Sequence, residues 1–142
     1  MIAIGSDHGG FDLKAAVIRH LQDRGLEVED CGTYSKASCD YPEFAKSVAH
    51  AVAEGRAKKG IVICTTGIGV SITANKVHGI RCALCSDVTS ARLTRLHNDA
   101  NVLAMGAGLI GENVAMDIVD TFLGTEFSGE ERHVRRIRAI EE

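Results

Sequence analysis

The stretch Gly60-Ile61-Val62-Ile63-Cys64-Thr65-Thr66-Gly67-Ile68-Gly69 decides the fold. Its apolar residues run without polar alternation, as suits a strand buried on both faces of a parallel sheet. The run stops at a cysteine. A glycine-rich turn, Thr65 to Gly69, follows and leads into a helical pattern through Asn75. Strand, turn and helix in that order form the repeating unit of an α/β protein.

Outward from this stretch the same unit recurs. Met1–Gly5 reads as a first strand. Gly10–Arg24 reads as a helix with Phe11, Ala15, Ile18 and Leu21 on its stripe, and Gly25 stands at the C-terminal cap position. Leu26–Cys31 is a second strand, followed by a loop from Gly32 to Asp40. Asp40 and Pro42 mark the entry of a helix whose buried face carries Ala45, Val48, Ala49 and Val52. Ile80–Cys85 and Asn101–Met105 are the fourth and fifth strands, and Ser86–Leu96 and Gly111–Phe122 are the helices after them. Ser128-Gly129-Glu130-Glu131 has capping-box spacing and opens an arginine-rich last helix to Ile140. The pattern predicts a Rossmann-like three-layer sandwich: one five-stranded parallel sheet spanning residues 1–142 as a single domain, plus an extra C-terminal helix. No strand follows that helix, so it is expected to pack across a partner subunit.

Composition narrows the function. The 142 residues are 45% hydrophobic and 25% charged, with a net charge of −3. A slightly acidic chain lacks the basic field of a general nucleic-acid or membrane-surface binder. Only 4% of residues are aromatic and Trp is absent, which argues against base-stacking platforms. The start has no basic, apolar leader pattern, and the longest apolar run, Val102 to Gly111, is too short to span a bilayer. A cytoplasmic protein is expected. Five cysteines, an odd number, do not suggest a disulfide framework. Cys82 and Cys85 are spaced C-x-x-C, but on a strand they face opposite sides about 10 Å apart. That exceeds disulfide reach, and no second pair completes a zinc site.

Ligands of open parallel sheets sit outside the carboxyl ends of the strands. Four polar or glycine-rich segments are expected there: Gly5–Gly10, Cys64–Ser71, His97–Asn101 and Gly106–Gly108. None is a dinucleotide or phosphate-loop fingerprint, so no nucleotide cofactor is implied. Cys64 ends a strand at a helix entrance, where a thiolate can be stabilised. Glycine N–H groups and the Thr66 hydroxyl beside it suit a small oxyanion, a setting for proton abstraction next to a carbonyl. The same pattern also fits a buried structural cysteine. Asp7 and His8 read either as an acid/base or phosphate-binding pair, or as a cap and an exposed loop residue. His97 ends a helix, where it can merely complement the dipole. Arg132 and Arg136 share a helix face and suit a phosphate, or form a solvated basic face.

Together the segments Ile4–Phe11, Asp40-Tyr41-Pro42, Cys64–Gly69, Ala74-Asn75-Lys76, Gly79-Ile80-Arg81, Ser90-Ala91-Arg92, His97–Leu103 and Arg132-His133 resemble the B-type ribose-5-phosphate isomerases. That family also holds galactose- and allose-6-phosphate isomerases. The resemblance covers nearly the whole chain. It implies interconversion of an aldose and a ketose phosphate through an enediolate, without a metal or other cofactor. It implies Cys64 as the base, Thr66 with the N–H groups of Gly67 to Gly69 as the oxyanion site, and Asp7 and His97 as ring-opening groups. His8, Arg132 and Arg136 would hold the phosphate, and Asn98 and Tyr41 would contact the sugar. The partner would be a second copy, with the site between two subunits. Ribose 5-phosphate is the leading substrate. A hexose 6-phosphate, or a non-catalytic sugar-phosphate-binding module, is the alternative. Two positions depart from the family pattern. Its C-G-T-G turn reads Cys64-Thr65-Thr66-Gly67 here, so the Thr65 side chain either points away from the ligand or narrows the pocket. Its G-A-R after the fifth strand reads Gly106-Ala107-Gly108.

Overall fold

The computed structural model describes residues Met1–Glu142. Five strands form one all-parallel sheet: β1 (Ile2–Ser6), β2 (Val28–Asp30), β3 (Lys59–Cys64), β4 (Cys82–Leu84) and β5 (Val102–Gly106). Their order across the sheet is β2-β1-β3-β5-β4. The helices are α1 (Phe11–Asp23), α2 (Tyr41–Ala53), α3 (Ile68–Ala74), α4 (Val88–Asn98), α5 (Glu112–Gly124) and α6 (Glu131–Glu141). This is the predicted three-layer architecture with its extra final helix. No helix is long and apolar enough to cross a membrane.

The period of two along each strand builds two cores. Ile4, Ile61, Ile63, Leu103 and Met105 face α1, α4 and α5, and pack with Val17, Leu21, Ile118 and Phe122. Ala3, Val62, Cys64, Val102 and Ala104 face α2 and α3, and pack with Val48, Ala49 and Val70. Each fully buried Leu, Ile or Phe contributes about 1.5–3 kcal/mol by leaving water. Cys64 therefore closes the α2/α3 core at the carboxyl end of the central strand β3.

Two sequence expectations change. The inner face of α1 is Lys14, Ala16, Val17 and Leu21, so Phe11, Ala15 and Ile18 lie beside it. Lys14 is 2% exposed, and its Nζ reaches Asp30 Oδ1 at 2.6 Å. Asp30 Oδ1 also accepts the Gly32 N–H at 2.9 Å, so the pair pins the start of the loop after β2. The periodicity reading fails there because it ranks a lysine as solvent-facing, whereas a paired lysine can sit inside. At α6, Glu130 is the cap residue and makes no side-chain cap bond. Ser128 donates instead to Leu96 O at 2.8 Å, so the capping-box residue ties α6 to α4.

Candidate functional site

The strand order reverses between β1 and β3, and ligands of doubly wound sheets bind at that switch point. Asp7 leaves β1 there, with its N–H donating to Ile63 O at 3.3 Å. Asp7 is buried, and its Oδ1 accepts the Gly10 N–H at 3.1 Å, capping the short 3₁₀ turn His8–Gly10. The capping role weighed for it is real, and it does not remove Asp7 from the cleft it lines. His8 is exposed, and its Nδ1 accepts the Cys39 N–H at 3.2 Å. An accepting Nδ1 leaves the ring proton on Nε2, which stays available to donate to an anion.

Cys64 is 5% exposed at the end of β3. The Gly67 N–H donates to its Sγ at 3.1 Å. That N–H points inward because Gly67 adopts φ +77°, the left-handed conformation that favours glycine. A Cβ at Gly67 would lie 2.7 Å from Met105 C and 2.9 Å from Gly106 N, so the turn also needs glycine to sit on β5. Thr66 Oγ1 accepts the Ile68 N–H at 3.2 Å, which leaves the hydroxyl hydrogen free to donate. Gly69 lies against Tyr41 so closely that a Cβ there would be 2.5 Å from the ring. Asp7, Tyr41, Cys64, Thr65, Thr66, Ile68, Gly69 and Ile72 line an open cleft of about 460 Å³. One acid, one phenol, one thiol and a run of donors thus face a common space.

The two departures from the family pattern touch each other at the edge of this cleft. The Thr65 methyl would stand 2.9 Å from a Cβ at Gly108, and its hydroxyl would overlap a Cβ at Gly9. The Gly108 N–H donates to Thr65 O at 2.8 Å. Thr65 therefore wedges between the β1 loop and the segment after β5. Thr65 also borders the cleft, where the family pattern has a glycine.

The other predicted residues lie elsewhere. His97–Asn101 precedes β5, so it sits at the amino end of the sheet, not the carboxyl end expected for it. There Arg81 donates to Asn98 O through Nε at 2.9 Å and to Asp99 O through Nη2 at 2.9 Å. Arg81 Nη1 also reaches Glu141 Oε1 at 2.7 Å, fastening the end of α6. Asp99 takes φ +45° and ends α4, an 11-residue helix about 16 Å long. His97 and Asn98 are carried by its last turn, remote from the carboxyl end where α4 begins. His97 stacks on His133 of α6 with ring centroids 4.5 Å apart. Arg132 and Arg136 are exposed on the same helix, with Arg132 paired to Glu130. The candidate residues thus fall into two groups that lie apart within the chain. The first is Asp7, His8, Tyr41, Cys64, Thr66, Gly67 and Gly69. The second is His97, Asn98, Arg132 and Arg136.

The remaining thiols do not line the cleft. All five cysteines are free, as expected for the C-x-x-C pair. Burial pushes Cys82 up to about 12, and burial with Glu29 and Asp30 pushes Cys31 up to about 11. No group of three His, Cys, Asp or Glu side chains is placed to hold a metal. The Lys14–Asp30 pair, the Arg81 clamp, the Cys39–His8 contact and the His97–His133 stack had no signal in the periodicity. Each joins residues far apart in sequence.

Comparison with known proteins places these features. The family model described as Ribose/Galactose Isomerase matches residues 2–140. Ribose-5-phosphate isomerase B of Escherichia coli is 51% identical over 139 residues, covering 98% of this chain and 93% of that protein. The structure of ribose-5-phosphate isomerase B from Clostridium thermocellum superposes with a TM-score of 0.97 at 52% identity, covering 99% of this chain and 94% of that one. A ribose 5-phosphate isomerase from Thermotoga maritima gives 0.96 at 52% identity, covering 99% and 96%.

Proposed function

The chain belongs to the ribose/galactose isomerase family, and from that premise we propose that it interconverts ribose 5-phosphate and ribulose 5-phosphate, an aldose–ketose isomerisation. The observation that carries the chemistry is the cleft in which Cys64 Sγ, with the Gly67 N–H upon it, faces Thr66, Asp7 and Tyr41. The Cys64 thiolate takes the C2 proton of the open-chain aldose. The C–H electron pair becomes the C1=C2 bond, and the carbonyl pair moves onto O1. Thr66 and the N–H groups of Gly67 to Gly69 hold that oxyanion. A proton passes from O2 to O1, the thiol returns its proton to C1, and C2=O2 forms. Protons and electrons balance without an external reductant or a cofactor.

The furanose opens first, with Asp7 and His97 as the acid–base pair. His8, Arg132 and Arg136 hold the phosphate, and Asn98 and Tyr41 contact the sugar. These residues come from opposite ends of the sheet, so the reading calls for a homodimer. Cys64 and Asp7 of one protomer then meet His97, Asn98, Arg132 and Arg136 supplied by its partner. Residues 1–142 act as one isomerase domain. A charged sugar phosphate is held within the cell, which supports a cytoplasmic location.

The test compares turnover on ribose 5-phosphate, allose 6-phosphate and galactose 6-phosphate, with solvent deuterium followed into C2. The pentose is expected to be the best substrate. Cys64→Ala should abolish turnover while calorimetry still shows sugar-phosphate binding. Full activity in that variant would remove Cys64 as the base.

A further inference from the structure

α6 is highly charged, and His133 is its one buried residue, at 5% exposure. A histidine in the single docked position of such a helix calls for a reason. Its ring lies on that of His97, with an interplanar angle of 18° and a centroid separation of 4.5 Å. Its Nε2 is buried and has no hydrogen-bond partner. A protonated ring would leave a charged N–H unmatched, so this site favours neutral imidazole. The charges around it agree: after burial, Arg132, His97 and Arg136 push its pKa below the ordinary value, and Glu130 opposes them.

We propose that His133 is a positioning residue for ring opening, a flat neutral platform that fixes the orientation of the His97 imidazole. This rests on the reading of His97 as a ring-opening group. Stacked rings resist rotation and keep water off one face, so His97 presents its nitrogens in one direction. Ser128 bonded to Leu96 at one end of α6, and Glu141 bonded to Arg81 at the other, hold the platform in place.

Substrate chemistry isolates the step. Ribose 5-phosphate is mostly a closed furanose. Ribulose 5-phosphate has its ring-closing O5 blocked by phosphate and is acyclic. A defect confined to ring opening therefore slows the aldose-to-ketose direction and spares initial turnover of the ketose. His133→Ala is expected to lower turnover of ribose 5-phosphate about 10- to 100-fold, the scale of a misplaced catalytic group. Initial rates on ribulose 5-phosphate should change less than about threefold on the same argument. His133→Phe, flat and neutral, should restore most of the loss. Equal loss in both directions would overturn the proposal, since it would mark a merely structural role. So would no loss in either direction, or failure of Phe to rescue. His97→Asn, run alongside, separates the two ideas. If it keeps full turnover of ribose 5-phosphate, the ring-opening reading fails. If it loses that turnover while His133→Ala does not, only the platform fails.

Discussion

Gly67 and Gly25 share a backbone conformation, φ +77°, and differ in everything around it. Nothing lies within 4 Å of a Cβ built on Gly25, which follows α1. Gly25→Ala therefore meets the left-handed penalty alone, about 1–2 kcal/mol. Stiffening of the unfolded chain offsets about 0.4–1 kcal/mol of it. A net loss near 1 kcal/mol is expected, with turnover unchanged. Gly67→Ala meets the same penalty and three contacts besides. Leu84 Cδ1, at 2.6 Å, can rotate aside. Met105 C at 2.7 Å and Gly106 N at 2.9 Å cannot, because Cys64 and Gly106 are register partners between β3 and β5. Overpacking of this kind adds about 1–3 kcal/mol, so the total loss is about 2–4 kcal/mol. The turn must also shift, and with it the N–H on Cys64 Sγ. A displacement near 1 Å lowers turnover about 100-fold. Urea unfolding of both variants gives the stabilities, and kcat on ribose 5-phosphate gives the second quantity. Gly67→Ala matching Gly25→Ala in both would refute the claim that the turn is held by its approach to β5.

Other consequences can be measured as simply. Gly108→Ala should destabilise by about 1–3 kcal/mol through the Thr65 methyl, and Thr65→Gly in the same chain should recover most of it. A double-mutant cycle with no coupling would show that the two positions are independent. The raised thiols carry a pH signature. Cys82, pushed up to about 12 by burial, stays protonated where an unfolded thiol near 9.0 already ionises. Its contribution to stability is therefore complete below pH 9 and lost as pH rises toward 12. Native Cys31 and Cys82, half-buried and held protonated, should react more slowly with a thiol reagent at pH 8 than after unfolding; equal rates would contradict their raised pKa. Arg81→Met frees the carbonyls of Asn98 and Asp99 and should lower kcat on ribose 5-phosphate at least about 10-fold, whereas unchanged kcat would mean the turn holds itself.

The architecture was legible because β3 and β5 are continuous apolar runs and the helices between strands have clear apolar stripes. Segment ends moved by one to three residues, and the second and fourth strands proved shorter than their apolar runs. Lys14 was missed as a core residue because its partner, Asp30, is 16 positions away and on another element. Cys64, Thr66 and Asp7 were readable as neighbours because two strand ends flank one switch point. His97 was assigned to the wrong end of the sheet. A polar segment before a strand looks like one after a strand until the connectivity is counted. That error matters, because it merged two groups of candidate residues that the fold keeps apart. The capping-box reading of Ser128 failed for a related reason. The helix starts two residues later, at the Glu130 cap, so Ser128 Oγ accepts the Glu130 N–H at 3.4 Å and gives its own hydrogen to Leu96 O on another helix.

The division of the site offers the most direct test. Cys64→Ala and His97→Asn are each expected to be inactive as homodimers. When the two are unfolded together and refolded in equal amounts, about half the dimers should be mixed, and each of these holds one intact site. Recovery of about a quarter of wild-type turnover on ribose 5-phosphate is predicted from that symmetry. A mixture that remains as inactive as its components, although mixed dimers form, would contradict an isomerase site built from Cys64 of one protomer and His97 of its partner.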